Sequence, residues 1–215
     1  GRVFVGVMDA SARHAITAAH TPLMVRAPED LNLQTSTVVC GCGGGDDIHA
    51  LLPHVMSSSR QLVLDADALN AVARDPSLQT LLRQRHARHK PTVLTPHPLE
   101  AARLLNSTTA HVQQHRLNAA QKLADTFQCV VVLKGSGSII ASPDHSPVIN
   151  ASGNALLATA GTGDVLAGLI GAYLACSEDL FAATCQAVFA HGHVANAWPS
   201  DAPPLDAASL AASVR

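Results

Sequence analysis

A chain of 215 residues, 47% hydrophobic and 14% charged, has the size of one domain and enough apolar side chains for a core with helices on both faces of a sheet. Its formal net charge of -2 offers no basic field to a nucleic acid, and no uninterrupted apolar run reaches the roughly 18 residues that span a bilayer. The five cysteines (Cys40, Cys42, Cys129, Cys176 and Cys185) form no C-x-x-C pair, and the twelve histidines form no H-E-x-x-H motif or Cys/His cluster. The expectation is a soluble, cytoplasmic protein with reduced thiols, a small-molecule partner, no side chain assigned to a metal, and spare apolar surface for a homo-oligomer.

In chain order, β-branched apolar runs predict strands at 2–7, 37–40, 61–64, 92–94, 129–133 and 138–141. Helical periodicity predicts helices at 48–56, 68–74, 77–88, 98–105, 109–126, 163–175, 180–197 and 206–213. Such alternation argues a three-layer α/β fold, a doubly wound, mostly parallel sheet with helices on both faces. No linker, repeat or low-complexity tract divides residues 1–215, so one domain is expected. The run V-V-V-L-K-G-S-G-S-I-I, from Val130 to Ile140, reads as a strand, a glycine turn and an antiparallel partner, with Lys134 at the strand's end.

The chemistry-bearing residues follow these predicted strands. Gly41-Cys42-Gly43-Gly44-Gly45 after 37–40 leaves room for close backbone contact with a ligand, or is a flexible strand-to-helix loop. Asp65 and Asp67 follow 61–64; Asp67 suits the cap of a helix from Ala68, while Asp65 or Asn70 suits a substrate or a hydrated magnesium ion. In T-P-H-P-L-E, Pro96 and Pro98 fix the backbone about His97 at the carboxyl end of a strand, which serves either a ligand contact or a rigid N-capping loop. Lys134, with Gly135 and Gly137 beyond it, can reach nucleotide phosphates or simply close a hairpin.

The densest signal is Ala160-Gly161-Thr162-Gly163-Asp164, a glycine turn opening into an apolar helix. Unpaired backbone N–H groups and the helix dipole converge there into an anion site. A carboxylate in that position either helps the helix dipole or takes a proton from a hydroxyl beside a bound phosphate. Two flanking glycines favour the second reading, phosphoryl transfer to an alcohol with Asp164 as base.

These motifs, together with V-L-D-A-D-A-L-N (63–70) and H-T-P-L-M-V (20–25), resemble the ADP- or ATP-dependent NAD(P)H-hydrate dehydratases of the ribokinase-like superfamily, over nearly the whole chain. The resemblance implies dehydration of hydrated NADH or NADPH, with ADP or ATP as phosphoryl donor and magnesium on its phosphates. It places the catalytic acid at Asp164 and the nucleotide along Lys134, Gly135, Ser136, Gly137, Ser138, Gly161, Thr162 and Gly163. The hydrated cofactor falls against Gly43, Gly45, His97, Glu100, Asn154 and Asp164. Leu99, Cys42, Gly44 and Ser138 replace the family's usual Gly, Pro, Leu and Thr. Members also carry an earlier G-G-S-x-x-Y-x-G-A segment, so the expectation is a domain lacking its N-terminal part, and fusion to an epimerase domain is compatible with the family. A superfamily kinase of a small alcohol, of the hydroxymethylpyrimidine or hydroxyethylthiazole type, and a non-catalytic nucleotide-binding module are the rival readings.

Overall fold

The computed structural model describes residues 2–19 and 23–214. It opens with a parallel pair, β1 (Phe4–Gly6) and β2 (Met24–Arg26), joined through α1 (Ala10–Ala19). The main sheet follows: β3 (Thr37–Cys40), α2 (Ile48–Ser58), β4 (Gln61–Leu64), α3 (Ala66–Arg74), α4 (Pro76–Ala87), β5 (Thr92–Leu94), α5 (Pro98–Leu104), α6 (Thr109–Gln114), α7 (Arg116–Phe127) and β6 (Val130–Leu133). After β7 (Ile139–Ser142) and β8 (His145–Ile149) come α8 (Thr162–Ala175), α9 (Leu180–Asn196) and α10 (Ala207–Ser213). Six strands lie in sequence order β3-β4-β5-β6-β7-β8; the first four are parallel, and β7 and β8 are antiparallel.

Side-chain alternation along the strands builds the layers. Leu62, Leu64, Leu94, Val131 and Leu133 face a core made with Leu52, Met56, Leu69, Leu82, Leu123 and Phe127 of the helices between strands. Val63, Val93, Val130 and Val132 face the other way, onto Leu166, Ile170 and Leu174 of α8 and Ala183, Ala187 and Val188 of α9. The result is the expected three-layer α/β fold with a mostly parallel sheet. Gly171 lets α8 lie close on the sheet, since a Cβ there would come within 2.4 Å of Val39 Cγ2. No helix among the described residues is long and apolar enough to cross a membrane.

Four features differ from the sequence-based expectation. The helix expected at 109–126 breaks at His115 (φ -129°, ψ 47°), which lets α7 start where the Arg116 guanidinium reaches the carbonyls of Leu133, Ser136 and Gly137. β8, which is not among the expected strands, carries Pro147 as an exposed edge strand, where a missing N–H is tolerated. α1 and the three-residue β2 lie in a stretch for which the sequence predicts no element. Of H-T-P-L-M-V, His20, Thr21 and Pro22 lie outside the described residues, as does Gly1.

At the amino ends of the strands, one buried side chain holds the loops together. Arg85 is 2% exposed, and its Nε donates to Thr92 Oγ1 (2.7 Å), Nη1 to the carbonyls of Met56 (2.5 Å) and Ser59 (3.2 Å), and Nη2 to the Pro91 carbonyl (3.2 Å). Burial pulls its pKa from 12.5 down to about 10, so it stays charged at neutral pH. Arg85→Met keeps the volume but strands these acceptors, and we expect it to lower unfolding free energy by about 3 kcal/mol in urea titration, without altering ligand binding at the far edge of the sheet.

Candidate active site

The carboxyl ends of β3 to β6 and the first turn of α8 face one another across the top of the sheet. Asp65 follows β4, is 1% exposed, and accepts at Oδ1 from Lys134 Nζ at the end of β6 (2.6 Å). The Lys134 backbone N–H donates to the Pro96 carbonyl (2.9 Å), so the base of that lysine is fixed by the loop after β5. Its Nζ lies 4.0 Å from Glu100 Oε2, and a Cβ built on Gly163 would stand 3.5 Å from it. Lys134 therefore crosses from β6 to the glycine turn before α8, bordered by two carboxylates.

The glycine turn itself has the geometry the sequence asks for. Gly161 takes φ 83°, in the left-handed region, and α8 begins at the next residue. The Gly163 and Asp164 backbone N–H groups have no protein acceptor among the described residues, which leaves them free for an anion. Cys42, Asp65 and Asp164 bring one potential ligand atom each within 4.8 Å of one another, a juxtaposition no spacing in the sequence reveals. Burial, then Asp65 and Asp164, push the Cys42 thiol up to about 12, so it is no thiolate nucleophile at neutral pH. Gly41 makes this convergence possible: at φ 119°, a Cβ there would fall 2.0 Å from the Asp65 carbonyl.

His97 takes the capping role that the sequence left open. Its Nδ1 accepts from the Leu99 (3.1 Å) and Glu100 (3.3 Å) amides, and Glu100 Oε2 accepts from the His97 N–H (2.8 Å), a reciprocal capping box on α5. With Nδ1 accepting, Nε2 carries the proton and lies 3.2 Å from Glu100 Oε1. Burial, then the Lys134 charge, lower the His97 pKa; burial also raises that of Glu100.

Other sequence-selected residues divide into open and occupied ones. Gly43 and Gly45, at φ 66° and 56°, have open space where a Cβ would stand. The Gly45 N–H donates to Asp67 Oδ2 (2.8 Å). Asp67 thus holds this loop and does not cap α3, which starts earlier, at Ala66, with Asp65 at its cap position making no side-chain cap bond. Gly135 and Gly137 both have positive φ, and Ser138 Oγ closes their turn by meeting the Gly135 N–H (3.3 Å) and carbonyl (3.1 Å). Ser136 offers its carbonyl to Arg116, and the Thr162 hydroxyl turns to the Leu157 carbonyl (2.7 Å). Asn154 is exposed, with Nδ2 donating to the Ala195 carbonyl (2.9 Å) and Oδ1 accepting from Leu156 N–H (3.0 Å). Arg116 and His191 were not selected from sequence; only the folded geometry brings them to the two glycine turns.

A family profile described as NAD(P)H-hydrate dehydratase matches residues 3–214. The chain belongs to the NAD(P)H-hydrate dehydratase family. It is 39% identical over 202 residues to the ADP-dependent (S)-NAD(P)H-hydrate dehydratase of Neisseria meningitidis, covering 91% of this chain and 67% of that protein. It is 41% identical over 146 residues to the bifunctional NAD(P)H-hydrate repair enzyme of Escherichia coli, covering 67% of this chain but 26% of that one. It therefore spans about two thirds of the first relative and about a quarter of the second. The crystal structure of the Bacillus subtilis ADP/ATP-dependent NAD(P)H-hydrate dehydratase, co-crystallised with ATP/Mg2+ and soaked with coenzyme A, superposes with a TM-score of 0.81 at 29% identity, over 99% of this chain and 78% of that chain.

The His97 cap yields a pH dependence with a definite sign. Its folded pKa lies below the ordinary 6.5, so the unfolded chain binds the proton more readily. The cap's contribution is complete above 6.5 and is lost as pH falls through that value toward the folded pKa. Urea midpoints between about pH 7.5 and about pH 6 should fall for the wild type and fall less for His97→Asn, which keeps a capping acceptor but does not titrate.

Proposed function

We propose that the chain is a nucleotide-dependent dehydratase of hydrated NADH or NADPH. The observation that carries this reading is the position of Asp164: a carboxylate in the first turn of α8, beside two unpaired amides and across from Lys134, can take a proton from a hydroxyl whose oxygen then meets a phosphoryl group. Membership in the family supplies the substrate class.

Hydroxide is a poor leaving group from the hydrated dihydronicotinamide ring, and phosphate is a good one. Asp164 accepts the proton of the C6 hydroxyl while that oxygen bonds to the terminal phosphorus of ADP or ATP and the nucleotide's bridging bond breaks. The unpaired amides of Gly163 and Asp164 and the Lys134 ammonium lie where negative charge collects on the phosphoryl oxygens. The ring nitrogen's lone pair then expels phosphate from C6, loss of the C5 proton restores NAD(P)H, and AMP or ADP leaves. Asp65 and Asp164 offer the hard oxygen donors that suit a magnesium ion brought in on the nucleotide, whose charge would offset that of the phosphates. The open backbone at Gly43 and Gly45 suits the hydrated cofactor, since the loop's Cys42 lies beside Asp65 and Asp164. His97, Glu100 and Asn154, which the family resemblance sets against the hydrated cofactor, also cap α5 and hold the loop before α8.

A cytoplasmic setting and a homo-oligomer fit the low charge and the exposed Val148, Ile149 and Phe189. The second activity of the bifunctional relatives fits an epimerase acting on the same hydrates.

Asp164→Asn keeps the size of the side chain and removes its basicity. We expect nucleotide affinity by calorimetry to change less than about threefold, while turnover, followed as recovered dihydronicotinamide absorbance, drops at least about a thousandfold. Retention of more than about a tenth of wild-type turnover contradicts the assignment of the base.

A further inference from the structure

Helix α9 contributes no residue to the chemistry described above, yet it is bonded to the phosphate turn and to the loop before it. Ser152 Oγ donates to the Phe189 carbonyl (2.9 Å), the Gly153 N–H to Asn196 Oδ1 (3.2 Å), and Asn154 Nδ2 to the Ala195 carbonyl (2.9 Å). The approach is close enough that a Cβ on Gly192 would stand 2.2 Å from Ser152 Oγ. Beside Gly192, His191 is 7% exposed, and its Nε2 lies 2.9 Å from the Thr162 carbonyl oxygen. A carbonyl only accepts, so Nε2 carries the proton.

We propose that His191 is a positioning residue for phosphoryl transfer, acting through the Thr162–Gly163 peptide. That peptide is a planar trans unit, so its C=O and its N–H point in opposite directions. The carbonyl is held by His191; the N–H belongs to Gly163 and is one of the two amides with no protein acceptor among the described residues. Anchoring one end of the unit fixes the aim of the other, and a hydrogen bond accepted at oxygen makes the amide a stronger donor. The first turn of α8 also carries Asp164, so the same bond limits the tilt of the carboxylate relative to Lys134. Donors aimed before the reaction at charge that develops in the transition state affect turnover more than ground-state binding.

The inference rests on the phosphoryl-transfer reading of this site, and its test separates the two. His191→Phe keeps a ring of similar volume without the donor; His191→Gln keeps an N–H donor. We expect the Gly163 amide proton of the 15N-labelled Phe variant to move upfield. Its kcat should fall between about tenfold and a hundredfold, with the KM for ADP or ATP changed less than about threefold, and the Gln variant should recover most of the lost kcat. A folded Phe variant with wild-type kcat and an unmoved Gly163 resonance overturns the proposal, as does a Gln variant no better than Phe. If Phe prevents folding, the Gln variant decides: it must fold and stay within about tenfold of wild-type kcat. Protein made from the complete reading frame that binds ADP but does not restore NAD(P)H from its hydrate refutes the dehydratase reading, and the Gly163 resonance then still decides whether His191 orders the turn.

Discussion

The Asp65–Lys134 ion pair is the contact around which this edge of the molecule is arranged. A carboxylate that is 1% exposed needs a polar partner, and one removed from its cation is costly. The 2.6 Å contact joins the ends of β4 and β6 across the intervening β5. The lysine is thereby held from three directions: by Asp65, by the Pro96 carbonyl on its backbone N–H, and by the hydrophobic strand that carries it. A lysine so restrained is a fixed positive charge beside Gly163, with none of the freedom of a surface ammonium. Burial of β4 and β6 on both faces is the reason that the pair cannot be relocated.

The distribution of labour between the two ends of the sheet follows from the parallel topology. Arg85 gathers the α2 carboxyl terminus and the loops into β4 and β5 at one end; the carboxylates and free amides lie at the other. In a parallel sheet every strand delivers its carboxyl end to the same edge, so loops from four strands and the first turn of α8 meet without any long connection. The sheet supplies placement, and the glycines of the loops supply proximity.

How far the sequence discloses this depends on the range of the interaction involved. Fully buried strands were plain, because Gln61–Leu64, Thr92–Leu94 and Val130–Leu133 are compact apolar runs whose partners need not be known. Asp164 was legible because glycine turn, acid and helix are contiguous. The break at His115 was not, because Arg116 is drawn to carbonyls up to 21 residues away, which periodicity cannot register. The neighbours of Asp67 suggest a cap, whereas its actual partner is Gly45, 22 residues back. His97 is the mixed case: two prolines announce a rigid turn, and only the fold brings backbone amides onto Nδ1. Local chemistry was visible; the pairing of distant loops was not.

Cys42 carries a consequence for the protein's durability. Oxidants and alkylating agents attack thiolates, and a thiol held near 12 beside Asp65 and Asp164 is almost wholly protonated in the cell. The two carboxylates that stand beside it also suppress ionisation of the one sulfur among them. A cysteine can therefore stand in this glycine loop with two carboxylates opposing its conversion to the thiolate that oxidants attack.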